Sequence, residues 1–295
     1  GFFARKKNII DEVASKRLSS LIIKIGQPMM IISALAEADF SYENLEDGFI
    51  IIGLGMILHA IMAVLAYFLC TGFRNLDERK ITEFSLVFTN TGFIGFPIME
   101  ALFGPKGLLL ASFYVISFHL FLWTWGIFIL GRGREDIKLT PKKILLNYGT
   151  VPCAIGLVLY LCKPLFTLPS FFGTFFSYLG NLCTPISVLV TGSLLATISL
   201  LAMFRNGWLY LHSAIKLIAF PLAACLLAKL AGLGDTYVLM VTAMAGVPSA
   251  ATITMLSELY DIEPGFASQT VGMTSILSTA TLPCVMLFAQ WIITL

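Results

Sequence analysis

The sequence predicts an all-α protein embedded in a membrane, and three observations carry that prediction. Apolar residues fill 58% of the 295 positions and charged residues only 12%, against roughly 25% charged in a soluble domain. Apolar runs recur at lengths of about 20 residues, enough for a helix to cross the hydrocarbon core of a bilayer. None of these runs alternates with period two, which argues against membrane strands. The mean hydropathy of +0.89 agrees.

Nine spans are expected, over 18–36, 49–71, 82–103, 107–130, 144–162, 171–199, 208–231, 236–258 and 266–294. Their connections alternate in charge. One set holds Arg5, Lys6, Lys7, Lys16 and Arg17, then Arg74, Arg79 and Lys80, then Arg132, Arg134, Lys138, Lys142 and Lys143, then Arg205. That is 14 of the 19 basic residues. The other set holds only Lys106, Lys163 and Lys229, while Lys24 and Lys216 fall inside spans. Basic loops stay on the cytoplasmic side, so the C-terminus is expected outside a cell membrane. No apolar run follows the charges at Arg5–Lys7, so the N-terminus does not read as a signal peptide. It reads as the end of a first helix that is largely absent from this sequence.

The chain divides at Gly131–Lys143. Residues 1–130 form a first repeat, 131–143 a cytoplasmic connection and 144–295 a second repeat. Gln27-Pro28 corresponds to Thr184-Pro185, Pro97 to Pro248, and His59 to Lys216. With the first helix counted, each half has five helices, and an odd number inverts the second half relative to the first. The expected fold is therefore a ten-helix, five-plus-five inverted repeat, a known carrier design.

The most informative segment is Asn90-Thr-Gly-Phe-Ile-Gly-Phe-Pro97, with Gly92, Gly95 and Pro97 inside one span. Proline removes a helical hydrogen bond and glycine weakens the helix further. Freed backbone groups survive in a bilayer only beside protein or a wet cavity. Ala245-Gly246-Val-Pro248-Ser249-Ala250 repeats the pattern in the second half, followed by Thr252 and Thr254. Two broken spans leave half-helices starting near Ile98 and Ser249. Their N-termini carry unpaired N–H groups and partial positive charge. Converging near the midplane, they favour an anion, with Asn90, Thr91 and Ser249 adding hydrogen bonds. Gln27, Pro28, Asn181, Thr184 and Pro185 are expected to line the same cavity.

The residues Asn90-Thr91, Gly95 and Pro97, then Gly246-Val-Pro248 running on to Ser257-Glu-Leu-Tyr260, resemble the auxin efflux carrier family. So do Thr274-Ser-Ile-Leu-Ser278, Thr281-Leu-Pro283 and the passage from Gly1-Phe-Phe-Ala-Arg-Lys-Lys to Pro28. The resemblance covers nearly the whole chain. It implies helices 4 and 9 crossing at Pro97 and Pro248, a scaffold of helices 1, 2, 6 and 7, often dimeric, and a mobile unit of helices 3–5 and 8–10. It also implies a carboxylate such as malonate or malate, or an auxin-like acid, as substrate. The plant carriers have a long central loop; the short one here points to a compact, bacterial-type carrier.

Ionisable residues inside spans are functional suspects, and His59 and Lys216 are the candidates for proton or sodium coupling. Lys24 is close enough to an edge to snorkel. His119, among aromatic neighbours, reads as packing, and His212, Glu258 and Glu100 lie toward span ends. Cys70, Cys153, Cys162, Cys183, Cys225 and Cys284 form no CxxC pair and read as packing residues. There is no HExxH, P-loop or GxSxG pattern, so neither an enzyme nor an ATP-driven pump is expected, and no metal, cofactor or nucleic-acid partner. The sequence reads as a secondary or facilitative carrier of a small organic anion working by alternating access. A membrane receptor without flux and an anion channel are the alternatives.

Overall fold

The computed structural model describes residues 1–134, 137, 146–166, 168–197 and 199–294. Most of the connection expected over 131–143 lies outside the described residues, Lys138, Lys142 and Lys143 included. The described helices, in chain order, are α1 (Phe2–Lys6), α2 (Glu12–Glu37), α3 (Tyr42–Leu69), α4 (Leu76–Val87), α5 (91–103) and α6 (105–131). They continue with α7 (Thr150–Cys162), α8 (Ser170–Leu195), α9 (Leu200–Arg205), α10 (Gly207–Leu230), α11 (Asp235–Gly246), α12 (Thr252–Tyr260) and α13 (Pro264–Thr294). Among the described residues, six helical stretches are long and apolar enough to cross a membrane, and the β-type pairing is one isolated bridge.

Polar side chains set several helix starts. Asp11 accepts the Ala14 N–H at 2.7 Å, Ser41 accepts Asn44 at 3.0 Å, Asn75 accepts Asp77 at 3.0 Å and Asn206 accepts Trp208 at 3.0 Å. Each satisfies one of the unpaired donors of a first turn. The apolar stretch Phe96–Gly131 is not one straight rod. Gly104 has φ 60° and ψ −147°, a region essentially restricted to glycine. A Cβ on Gly107 would stand 2.0 Å from the Met99 carbonyl oxygen. In a straight helix those residues are about 12 Å apart along the axis, so the chain folds back at Gly104 and joins α5 to α6 as a hairpin.

Prolines shape the long helices differently from the expectation. Pro28, Pro97 and Pro221 each follow a π-turn, over Ile22–Gly26, Thr91–Gly95 and Ile215–Ala219. The wider turn absorbs the missing N–H and the bulk of the ring, so the helix runs on. Pro97 therefore does not break its span, and no half-helix starts at Ile98. The break comes earlier, at 88–90, where Phe88 is extended (φ −93°, ψ 124°) and Asn90 leaves the helical region (ψ 59°). The second break falls where it was expected, at 247–251. Val247 is extended (φ −64°, ψ 144°), as the residue before a proline must be, and the new helix starts at Thr252 rather than Ser249.

The interior is apolar and aromatic around α4 to α6 and α11 to α12. Large apolar side chains also face outward along whole helices: Ile57, Val64 and Phe68 on α3, Phe171, Tyr178 and Val188 on α8, Leu226 and Leu230 on α10, and Ile276, Leu287 and Trp291 on α13. An apolar surface of that extent suits lipid, not water.

Candidate functional site

The two breaks meet. Thr89 and Ser249 form an isolated antiparallel bridge. Asn90 N donates to Pro248 O at 2.7 Å, and Ala250 N donates to Phe88 O at 3.0 Å. These bonds satisfy backbone groups that neither helix uses, which is what permits irregular chain at this depth. The pairing has a local twofold, so α5 and α12 leave it in opposite directions with their N-termini side by side.

A narrow crevice of about 10 Å³ opens at those N-termini, room for about one water. Thr89, Asn90, Thr91 and Gly92 line it from the first break, Ala250 and Thr252 from the second, and Gln27 and Met30 from α2. Val115, Phe118 and His119 of α6 close it. Asn90 is 7% exposed and makes no side-chain hydrogen bond at its helix cap. Gln27, 2% exposed, donates from Nε2 to Thr252 Oγ1 at 2.9 Å, and its Oε1 is buried without a partner. The two ends of that amide are alike in shape and can exchange. Turned over, the amide would accept from the Thr252 hydroxyl and present its N–H₂ to the crevice.

A larger cavity, about 490 Å³, lies on the side away from the basic loops. Its walls are α2 and α8 on one side (Ser33, Glu37, Ser177, Asn181) and the α5–α6 hairpin on the other (Phe96, Lys106, Leu109, Ser112). Met30 borders both cavities. Gly92 makes room for it, since a Cβ there would meet Met30 Cε at 2.7 Å. At the rim Lys106 pairs with Asp47, and Tyr237 donates to the same carboxylate at 2.5 Å.

The expected residues divide into groups. Asn90, Thr91, Gly92, Gln27 and Thr252 are brought together in the crevice. Pro248, Ser249 and Gly246 belong to the second break, but Ser249 spends its hydroxyl on Ser85 O at 2.9 Å and holds the crossing together. Gly95 packs near Met244, and Pro97 lies one turn inside α5. Asn181 lines the large cavity, whereas Thr184 and Pro185 are exposed and line neither. Pro28 is buried inside α2. His59 is buried among Phe88, Tyr114, Phe118 and Phe121, and its Nδ1–H donates to Gly55 O at 2.7 Å. Lys216 donates to Leu86 O at 2.7 Å, behind the crossing. Sequence reasoning missed His119, which borders the crevice with its Nδ1 buried and unpartnered, and Met30. The aromatic neighbours of His119 masked it, and an apolar Met gives no signal in a sequence of this composition.

On the basic side Glu83, buried within α4, pairs with Arg79 at 2.6 Å and with Arg132. Arg134 donates to the carbonyl of Tyr260 at the end of α12 at 3.0 Å. Charged groups at this face thus hold the basic-side ends of both interrupted spans.

Comparison with known proteins places the chain among membrane transporters. The family described as membrane transport protein matches residues 1–145 and 132–286. An uncharacterized transporter from Methanothermobacter thermautotrophicus is 24% identical over 287 residues, covering 96% of this chain and 92% of its own length. An uncharacterized transporter from Methanocaldococcus jannaschii is 25% identical over 289 residues, covering 94% and 91%. Matched over nearly its whole length, the chain belongs to the membrane transport protein family, the family of the auxin efflux carriers.

Proposed function

We propose that this protein is a secondary or facilitative carrier of a small organic anion, a malonate- or malate-like carboxylate or an auxin-like acid, and that it works by alternating access. The observation that carries the reading is the bridge between Thr89 and Ser249, which sets the N-termini of α5 and α12 beside one crevice. Each N-terminus offers unpaired N–H groups and roughly half a positive charge. The free amide of Asn90 and the hydroxyls of Thr91 and Thr252 supply directed donors around it. No carboxylate lines the crevice among the described residues, so nothing there repels an anion.

In this reading α1, α2, α7 and α8 form the scaffold. The crossing travels with α3 to α6 and α10 to α13. The vestibule on the non-basic side is the outward entrance, its floor closed by Met30, and the Glu83 and Arg134 contacts hold the cytoplasmic side shut. The five-plus-five inverted repeat, with halves at 1–130 and 144–295, is supported by the local twofold of the bridge. It is supported also by a second close crossing of matched segments. There α2 meets α8, and a Cβ on Gly26 would meet Cys183 Sγ at 2.7 Å while one on Gly180 would meet Met30 Cα at 2.8 Å. A homodimer in the cell membrane, with basic loops in the cytoplasm, completes the proposal.

The test is uptake of labelled mono- and dicarboxylates into liposomes containing the purified protein, with counterflow measured in parallel. A carrier accelerates labelled uptake when unlabelled substrate is preloaded; a channel does not, and a receptor binds without uptake. Asn90→Ala is expected to weaken substrate affinity about 10- to 100-fold, as loss of a hydrogen bond to a charged group does. Unchanged uptake by that variant would remove Asn90 from the site.

A further inference from the structure

The broken helix α4 ends inside the protein, and its last carbonyls need partners. Phe88 N donates to Phe84 O at 2.9 Å, and the Ser249 hydroxyl donates to Ser85 O at 2.9 Å. The Leu86 carbonyl receives the ammonium of Lys216 at 2.7 Å. Lys216 is 0% exposed, and no carboxylate of the described residues lies within salt-bridge distance of it. A lysine buried in a membrane protein normally has a charged partner or snorkels to an edge; this one has a helix end instead.

The placement is built rather than incidental. Lys216 sits in the π-turn Ile215–Ala219 of α10, ahead of Pro221. His212, four residues earlier on α10, hydrogen-bonds through Nε2 to the Ser85 hydroxyl at 2.9 Å. That hydroxyl already donates to Thr82 O at 3.0 Å, so the ring N–H is the donor. One helix thus directs two buried side chains at the same terminus. The C-terminal end of a helix carries about half a negative charge, and broken helices in carriers use such ends to hold a transported sodium ion.

We propose that Lys216 is a built-in cation: its ammonium is a positioning group that takes the place a bound sodium ion would occupy at the end of α4, so that anion transport needs no sodium. The inference rests on the carrier reading of the same crossing and assigns its coupling. Held by the Leu86 carbonyl, the ammonium neutralises the exposed carbonyl end of α4 and holds the break in the shape that aims α5 at the crevice. Behind the crossing it also makes the crevice more attractive to an anion.

The experiment measures uptake into liposomes in sodium, choline or methylammonium medium at one pH, for wild type, Lys216→Ala and Lys216→Met, with unfolding temperature recorded for each. Wild-type uptake is expected to agree within twofold between sodium and choline. Lys216→Ala opens a cation-sized space, and its uptake is expected to fall at least tenfold in choline and recover several-fold in sodium or methylammonium. Lys216→Met fills the space without a donor or a charge, and is expected to stay at least tenfold low in every medium. The proposal is overturned if wild-type uptake collapses in choline or if Lys216→Met transports within twofold of wild type. It is overturned equally if Lys216→Ala unfolds at the wild-type temperature yet no cation restores it. Should Lys216→Ala not fold, the wild-type and Lys216→Met measurements decide. Absence of any uptake by the wild type would instead end the carrier reading itself.

Discussion

The side chains around the crevice differ in what they have left to give. Ser249 and Thr274 are committed to backbone partners at 2.9 Å, whereas Asn90 and one end of the Gln27 amide are not engaged. An engaged hydroxyl stabilises the protein, and a free donor is available to a ligand. The amide of Gln27 is the more telling case, because it spans from α2 to α12. Gln27→Glu keeps the shape and can accept from the Thr252 hydroxyl in place of donating to it, but places a carboxylate where the N–H₂ could turn. At this depth like charges repel strongly, so anion affinity is expected to fall at least tenfold, read from substrate concentration dependence of uptake. An equal affinity for Gln27→Glu would show that the amide never faces the ligand. The sequence made Gln27, Asn90, Thr91 and Thr252 legible because polar residues are conspicuous in apolar spans. It did not separate Ser249 from them, since whether a hydroxyl is free depends on a carbonyl 164 residues away.

At the scale of the helix, the lesson concerns proline. Pro28, Pro97 and Pro221 bend nothing open, because a π-turn ahead of each takes up the missing hydrogen bond. Pro248 differs because it lies within the interruption, and its carbonyl is itself a partner for Asn90. Met244 O would bond to the N–H of residue 248 in a continuing helix, and proline has none to offer. Pro248→Ala restores that donor and favours continuation of α11 through the bridge. We expect it to lower uptake at least tenfold, with Pro97→Ala remaining within about threefold of wild type under the same assay. The reverse order would return the break to Pro97. Sequence logic found both segments but equated their prolines. The first break has no proline at all; it depends on Phe88-Thr89-Asn90 finding strand-like partners in another helix pair, and such pairing leaves no local mark.

For the molecule as a whole, the polar contacts between α2 or α8 and the crossing unit define where motion would occur in the proposed carrier cycle. Thr191 of α8 and Thr254 of α12 have hydroxyls 3.3 Å apart, and both are short side chains, so cysteines there are within disulfide reach. In a background without the native cysteines, oxidation of Thr191→Cys/Thr254→Cys is expected to abolish uptake, and reduction to restore it. Full uptake by the cross-linked protein would mean that these helices do not separate during transport. The all-helical, multi-span class was readable because a bilayer demands long apolar runs, although six described stretches, not nine, have the length and apolarity of a span. The vestibule and its Met30 floor were not, since they arise from helices that meet only in the folded state.

The bridge at Thr89 and Ser249 also bears on how such a chain is born. A ribosome delivers residues 88–90 to the bilayer long before 247–250 exist, and an unpaired amide in hydrocarbon is costly. Until the last third of the polypeptide arrives, this stretch must borrow water, a neighbouring helix or the insertion machinery. Assembly of the crossing is therefore among the final events of biogenesis, and a truncated first half has no means of completing it alone.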